Sequence, residues 1–230
     1  AGAGTIAAGL RWGVPEMSAR TWLVVLVLGL VGWWYSPLWP RSPHAPVHLD
    51  AASADICRMP PRVTRGGEPL QTDVPRGVSS FRVESAVVEP LAGFSIDARV
   101  LGREDYRFGR EAAFSPTDLA LGWSHMREDA VIAQLDISQS GRWYHYRWQG
   151  DPPLPLDEII RSSANMHLIP ANDVVAGELH RIKPGDNVRI DGWLVRIDGD
   201  EGWHWQSSLR RDDSGGGACE LVYACSITRE

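Results

Sequence analysis

Hydrophobic and polar positions divide this chain into three regimes. Residues 22–35, WLVVLVLGLVGWWY, are an unbroken apolar run without a charge. Residues 36–80 hold half of the 16 prolines and few large apolar side chains. From residue 81 the pattern becomes periodic. A two-residue period predicts strands over 81–87 and over 94–100, where Phe94, Ile96, Ala98 and Val100 alternate with polar residues. Ser115-Pro116-Thr117-Asp118 ahead of Leu119 and Leu121 predicts a helix: a cap residue, proline at the first position and an acid in the first turn. A second short helix is expected over 128–135.

Residues 142–148, RWYHYRW, read as a strand by β-propensity. Its faces carry Trp143, His145 and Arg147 on one side, and Tyr144, Tyr146 and Trp148 on the other. Pro155 and Asp157 open a short helix through Ser162, and 166–169 form a brief strand ended by Pro170. Asn172 caps a helix whose stripe is Val175, Leu179 and Ile182, stopped by Lys183-Pro184-Gly185. The remainder reads as an antiparallel meander. In 187–197 the apolar parity changes at Gly192, which predicts a bulge or barrel corner. After a turn at 198–202, a return strand at 203–209 and a Gly-rich loop at 211–217, the last strand turns Cys219, Leu221, Tyr223, Cys225 and Ile227 inward. Strands interleaved with short helices predict an α+β fold: a small curled antiparallel sheet or partly open β-barrel, OB-like or SH3-like, preceded by one N-terminal membrane helix.

The apolar run is shorter than the about 20 residues that span a bilayer. Trp22 at one end and Trp33, Trp34, Tyr35 and Trp39 at the other are interfacial residue types, and they favour a membrane anchor. Met17-Ser-Ala-Arg20 before the run has the layout of a signal sequence, so residues 1–16 are expected to be upstream residues foreign to the native chain. Ala52-Ser53-Ala54 matches a cleavage pattern but lies far past the run, so the anchor is expected to stay attached. Arg11 and Arg20 before the run, against Arg41 after it, orient the C-terminal part outward. The expected layout is an anchor at 17–39, a Pro-rich disordered tether at 40–80 and an extramembrane domain at 81–230.

A formal charge of −6 argues against a nucleic-acid partner, which needs a clustered basic face. The three cysteines are Cys57, Cys219 and Cys225. Cys219 and Cys225 fall in one strand, whose six-residue span of about 20 Å far exceeds the roughly 4.4–6.8 Å of a bridge. Cys57 is able to reach one of them, and the odd count leaves at least one thiol. The plainer expectation is two buried strand cysteines acting as small apolar side chains.

DLALGW (118–123), GRWYHYRWQ (141–149), SSANMHLIP (162–170) and SSLRRDDSGGGACEL (207–221) together resemble an uncharacterised family of single-span bacterial envelope proteins. The resemblance covers roughly residues 94–227. It supports the layout of an anchor followed by a domain; taken with the charge bias across the run, the expected location is a bacterial inner membrane with the C-terminal domain in the periplasm. The resemblance carries over no activity and no catalytic residue.

Candidate chemistry is sparse. Ser163, Asn165 and His167 share a strand face and are residue types of nucleophilic or base catalysis, though Asn165 and His167 also suit the satisfaction of backbone groups. His145, His167 and His204 are imidazoles without metal-ligand spacing, so no metal or cofactor is implied. Trp143, Trp148, Trp193, Trp203 and Trp205 are able to line a sugar or peptide groove, or to serve as core and barrel-rim residues. Asp198, Asp200 and Glu201 lack the spacing of a calcium loop, and 210–217 lacks the lysine of a phosphate loop. The expectation is a membrane-anchored, non-enzymatic interaction or assembly module, touching the bilayer through Trp22, Tyr35 and the run between them, with a protein partner in the envelope. The alternative is an envelope hydrolase using His167 with Asn165.

Overall fold

The structure is a computed structural model that describes residues 18–35, 45–46, 56–57, 61–213, 215 and 217–230. The expectations for residues 1–16, for the tripeptide at 52–54 and for 36–44 lie outside them. The chain forms two units, Ala1–Arg41 and Ser42–Glu230.

In the first unit, α1 (Ala19–Tyr35) is a 17-residue helix of leucine, valine and tryptophan. Its large apolar side chains from Trp22 to Trp33 are exposed on every face. At 1.5 Å per residue such a helix measures about 26 Å, against about 30 Å of hydrocarbon. Among the described residues, no helix is long and apolar enough to cross a membrane.

The second unit contains β1 (Leu70–Thr72), β2 (Phe81–Val83), β3 (Ala86–Asp105), α2 (Arg110–Phe114), β4 (Thr117–Gly122), α3 (Asp129–Ile132), β5 (Asp136–Ser140), β6 (Trp143–Arg147), α4 (Leu156–Arg161), β7 (Ser163–Pro170), α5 (Asp173–Arg181), β8 (Asn187–Asp198), β9 (His204–Gln206) and β10 (Glu220–Arg229). The fold is α+β, with few short helices around a large, partly ring-closed sheet. Strand order is β1-β3-β4-β7-β10-β8-β9, and an extra β3–β8 pairing closes β3, β4, β7, β10 and β8 on themselves. β5 and β6 form a separate hairpin.

Closure depends on the long, bent β3. It pairs with β8 from Val87 to Arg99 and with β4 from Arg99 to Asp105. A register shift between Pro90 and Ala92 bends it, and that irregularity also accommodates a proline that cannot donate to the ladder. A second shift lies between Val100 and Gly102. Phe94, Ile96, Leu119, Leu121, Met166, Leu168, Val188, Ile190 and Val222 fill the ring. α5 closes one end with Val175, Leu179 and Ile182, and its first turn is capped by Asn172 Oδ1, which accepts from the Val175 N–H at 3.0 Å.

Several expectations are corrected. Residues 117–122 are not helical: they form β4, buried along its whole length between β3 and β7. Pairing on both edges outweighs a cap signal confined to one turn, and the helix of this region is α2, one step upstream. The helix expected over 128–135 is the single turn α3, and the brief strand at 166–169 extends over all of β7. β8 itself holds no bulge at Gly192. Its two faces are both buried, Val188, Ile190 and Leu194 in the ring and Trp193, Val195 and Ile197 in a second core with Phe81, Val83 and Tyr223. The irregularity lies opposite, in β10 between Ala224 and Ser226. Gly192 is required because a β-carbon there would collide with the Tyr223 carbonyl oxygen. The β10 shift also changes parity, so Leu221, Tyr223 and Cys225 face the second core while Ile227 faces the ring. The sheet is not wholly antiparallel either, since β7 and β10 run parallel. Nor is its end a meander in space: β8 lies between β9 and β10.

The described part of the Pro-rich segment lies on the domain. β1 pairs with β3, Arg189 Nη2 donates to Val63 O at 2.8 Å, and Trp193 Nε1 donates to Ile56 O at 2.6 Å. Cys57 and Cys225 form a disulfide, which replaces the plainer reading of Cys225 as a small apolar residue, and Cys219 is free. Hydrogen bonds and a covalent bridge hold this strap, and Ile56, Val74 and Val78 pack into the second core.

Candidate functional site

β4 and β7 carry the site on the face opposite the ring interior. Alternation sends Leu119, Leu121, Met166 and Leu168 inward, which leaves Asp118, Ala120, Ser163, Asn165 and His167 on the outer face. Register sets Asp118 beside His167 and Ala120 beside Asn165. The long connection 123–162 folds back over this face. Met126, Val131 and Ile159 pack there on Ala120 and Leu101, with Tyr144 and Tyr146 of β6 against them.

Asp118 is fully buried and holds the face together. Its Oδ1 accepts from Arg142 Nη1 at 2.7 Å, and its Oδ2 accepts from Asn165 Nδ2 at 3.3 Å. His167 Nδ1 lies 2.9 Å from the same Oδ2, but out of line for a hydrogen bond. Arg142, at φ 72° where the β5–β6 hairpin enters β6, is fixed from several sides. Its Nη1 also donates to Ser115 O at 3.0 Å, and its guanidinium lies over the Tyr106 ring at 3.9 Å. Asn165 is fully used: its Nδ2 also donates to Arg142 O, and its Oδ1 accepts from Gln139 Nε2 at 2.8 Å. A buried carboxylate with this many partners is a rigid positioning device.

Beside this network a cavity of about 110 Å³ opens between β6, β7 and the start of β10, lined among others by Trp143, Tyr144, Asn165, Arg211, Cys219 and Glu220. Arg211 Nη1 donates to Glu220 Oε1, which ties Arg211 to the start of β10 at the cavity wall. Glu220 is 1% exposed, and burial raises its carboxyl to about 8 in spite of Arg211. Burial likewise pushes the Cys219 thiol up to about 12, which leaves it without thiolate character. Trp143 stands 41% exposed.

The sequence-derived candidates separate. Ser163, Asn165 and His167 do share a face, but the Ser163 hydroxyl donates to Ile159 O at 2.8 Å, away from any base. His167 is 4% exposed and covered by Trp205, with 4.8 Å between rings. His145 is exposed on β6 opposite Ser138, and His204 is exposed on β9. Among the described residues, no cluster of three or more His, Cys, Asp or Glu side chains is arranged to hold a metal. The tryptophans do not form one groove. Trp143 lines the cavity, Trp148 stacks on Tyr146, and Trp193 is a core residue. Trp203 stacks on Phe114 and lies beneath Arg110, while Trp205 lies between His167 and Arg142.

Asp118, Arg142, Tyr144, Arg211 and Glu220 are the site residues that sequence reasoning missed. The alternation of Tyr144 and Tyr146 opposite Trp143 was the readable sign of an aromatic inner face. Nothing in the spacing brings Glu220 to it. Comparisons with protein-family models, with curated proteins and with solved structures give no match to this chain.

Proposed function

We propose that this chain is a membrane-anchored, non-enzymatic binding module of the bacterial cell envelope, with an OB-like barrel held outside the inner membrane. The ring order β3-β4-β7-β10-β8, its single parallel pair and the helix between β7 and β8 support an OB-like barrel over an SH3-like one. The all-round apolar exposure of α1 supports a lipid-facing anchor, since such a surface is unfavourable in water. The Cys57–Cys225 bridge supports an oxidising compartment.

The observation that carries the binding role is the fate of the barrel face on which OB domains take nucleic acid. Here the 123–162 connection covers it and leaves the cavity at its margin. With a charge of −6, this arrangement supports a small polar guest and speaks against a nucleic-acid strand. The 2.9 Å approach of His167 to Asp118 is the one feature that favours the hydrolase alternative. A single experiment separates the two. The full chain in mild detergent is titrated with soluble envelope glycans and peptides while amide chemical shifts are followed. Shifts gathered on Trp143, Tyr144 and Cys219 without turnover support binding; hydrolysis of a titrant that is lost in His167→Ala overturns it.

A further inference from the structure

Glu220 Oε2 is buried at the cavity without a hydrogen-bond partner, and the Tyr144 hydroxyl, also buried there, has no well-aligned partner, only a contact with the Ser163 hydroxyl. Buried polar groups are nearly always paired, so an open carboxyl oxygen beside a weakly paired hydroxyl at one cavity describes the complement of a guest. Their neighbours limit its charge. Arg211 disfavours a cation, and Glu220 with Asp213 disfavours an anion, which leaves a neutral polar group. The space limits its size. A cavity of about 110 Å³ is smaller than the about 150 Å³ that admits benzene, so a substituent enters and its parent ring stays outside.

The outside surface indicates that ring. Trp143, 41% exposed and lining the cavity, offers a flat apolar face on which a pyranose can lie. Inside, Trp123 and Ile160 give an apolar wall for a methyl group. An amide carries both a donor and an acceptor. Its N–H suits an ionised Glu220, and its carbonyl suits the Tyr144 hydroxyl, which burial keeps protonated, or a protonated Glu220.

We propose that the cavity binds the acetamido group of an N-acetylated amino sugar, with the sugar ring laid against Trp143. This rests on the binding-module reading and names its ligand class.

The test uses the full chain in mild detergent with three probes: N,N′-diacetylchitobiose, cellobiose and a peptide carrying acetylated lysine, followed by tryptophan fluorescence. The diacetylated disaccharide binds at least about tenfold more tightly than either other probe, a difference within reach of one or two hydrogen bonds. Tyr144→Phe, which keeps the ring and its packing, removes about tenfold of that affinity, with an unchanged melting temperature as the control for folding. Trp143→Ala, on an exposed side chain, weakens both disaccharides. Equal binding of cellobiose overturns the acetamido assignment, and tighter binding of the peptide overturns the sugar; both leave the binding module standing. Failure of all three probes overturns the proposal, and it reaches the module only if the broader titration also finds no guest.

Discussion

Asp118 and Arg142 meet at 2.7 Å across 24 residues of sequence, the aspartate fully buried and the arginine mostly so. The pair joins the barrel wall to the hairpin that covers it, so the hairpin's seat depends on a charge contact shielded from water. Removing one partner leaves the other charge buried and alone. Arg142→Leu therefore destabilises the domain by about 3–5 kcal/mol, measured by urea unfolding. Asp118→Asn in the same chain restores part of the loss, because the amide has no charge to strand. Additive effects in the double-mutant cycle would show that the contact is not coupled.

The bridge between Cys57 and Cys225 is the covalent hold on the strap. Cys57→Ser or Cys225→Ser lowers stability by about 2–5 kcal/mol and makes the melting temperature insensitive to reductant. Cys219→Ser leaves the reductant response of the parent intact, since that thiol is free.

Stability falls as pH rises. Burial lifts the Glu220 carboxyl from its ordinary 4.5 to about 8, so the folded form holds its proton more tightly than the unfolded chain. That contribution is complete below about 4.5 and is lost as pH climbs through about 8. Melting temperatures between mildly acidic and alkaline buffers decline in the parent, and Glu220→Gln flattens the slope. A parent profile already flat over this range would show that Arg211 dominates instead.

Asn172 is a local device. Its side chain satisfies one amide of the first turn of α5, so Asn172→Ala costs about 1 kcal/mol, read by chemical unfolding, with the barrel otherwise intact.

That helix was legible in the sequence because its cap and stripe lie within a few residues of one another. Ser115-Pro116-Thr117-Asp118 carried an equally good local signal and led to the wrong element. What decides β4 is its pairing with β3 and β7, and no local pattern encodes that pairing. The apparent parity change at Gly192 reflects burial of both faces of β8, and the nearby irregularity belongs to β10, which only the partner strand reveals. The strap was not legible because Val63 O, Ile56 O and a cysteine hold it alongside only a few scattered apolar side chains, Ile56, Val74 and Val78, and hydropathy does not weigh backbone carbonyls or a bridge. At the site, the shared face of Ser163, Asn165 and His167 followed from strand alternation alone. Asp118, which Asn165 and His167 share, lies in the segment whose local pattern points to a helix, and Glu220 reaches the site only by closure of the ring.

The disulfide also imposes an order in time. Cys57 has to wait for a residue 168 positions later, and β10 is needed as well to join β7 and β8. Nothing in the first part of the domain can be completed early, because its strap, its ring and the floor of its cavity all end on the final strand. A chain threaded through a membrane from its N-terminal side would therefore assemble only after almost its whole length had crossed, and thiol oxidation would act last, on a nearly finished barrel. A product cut short before residue 225 has no bridged intermediate in which to persist, and completeness of the chain becomes a condition for its survival.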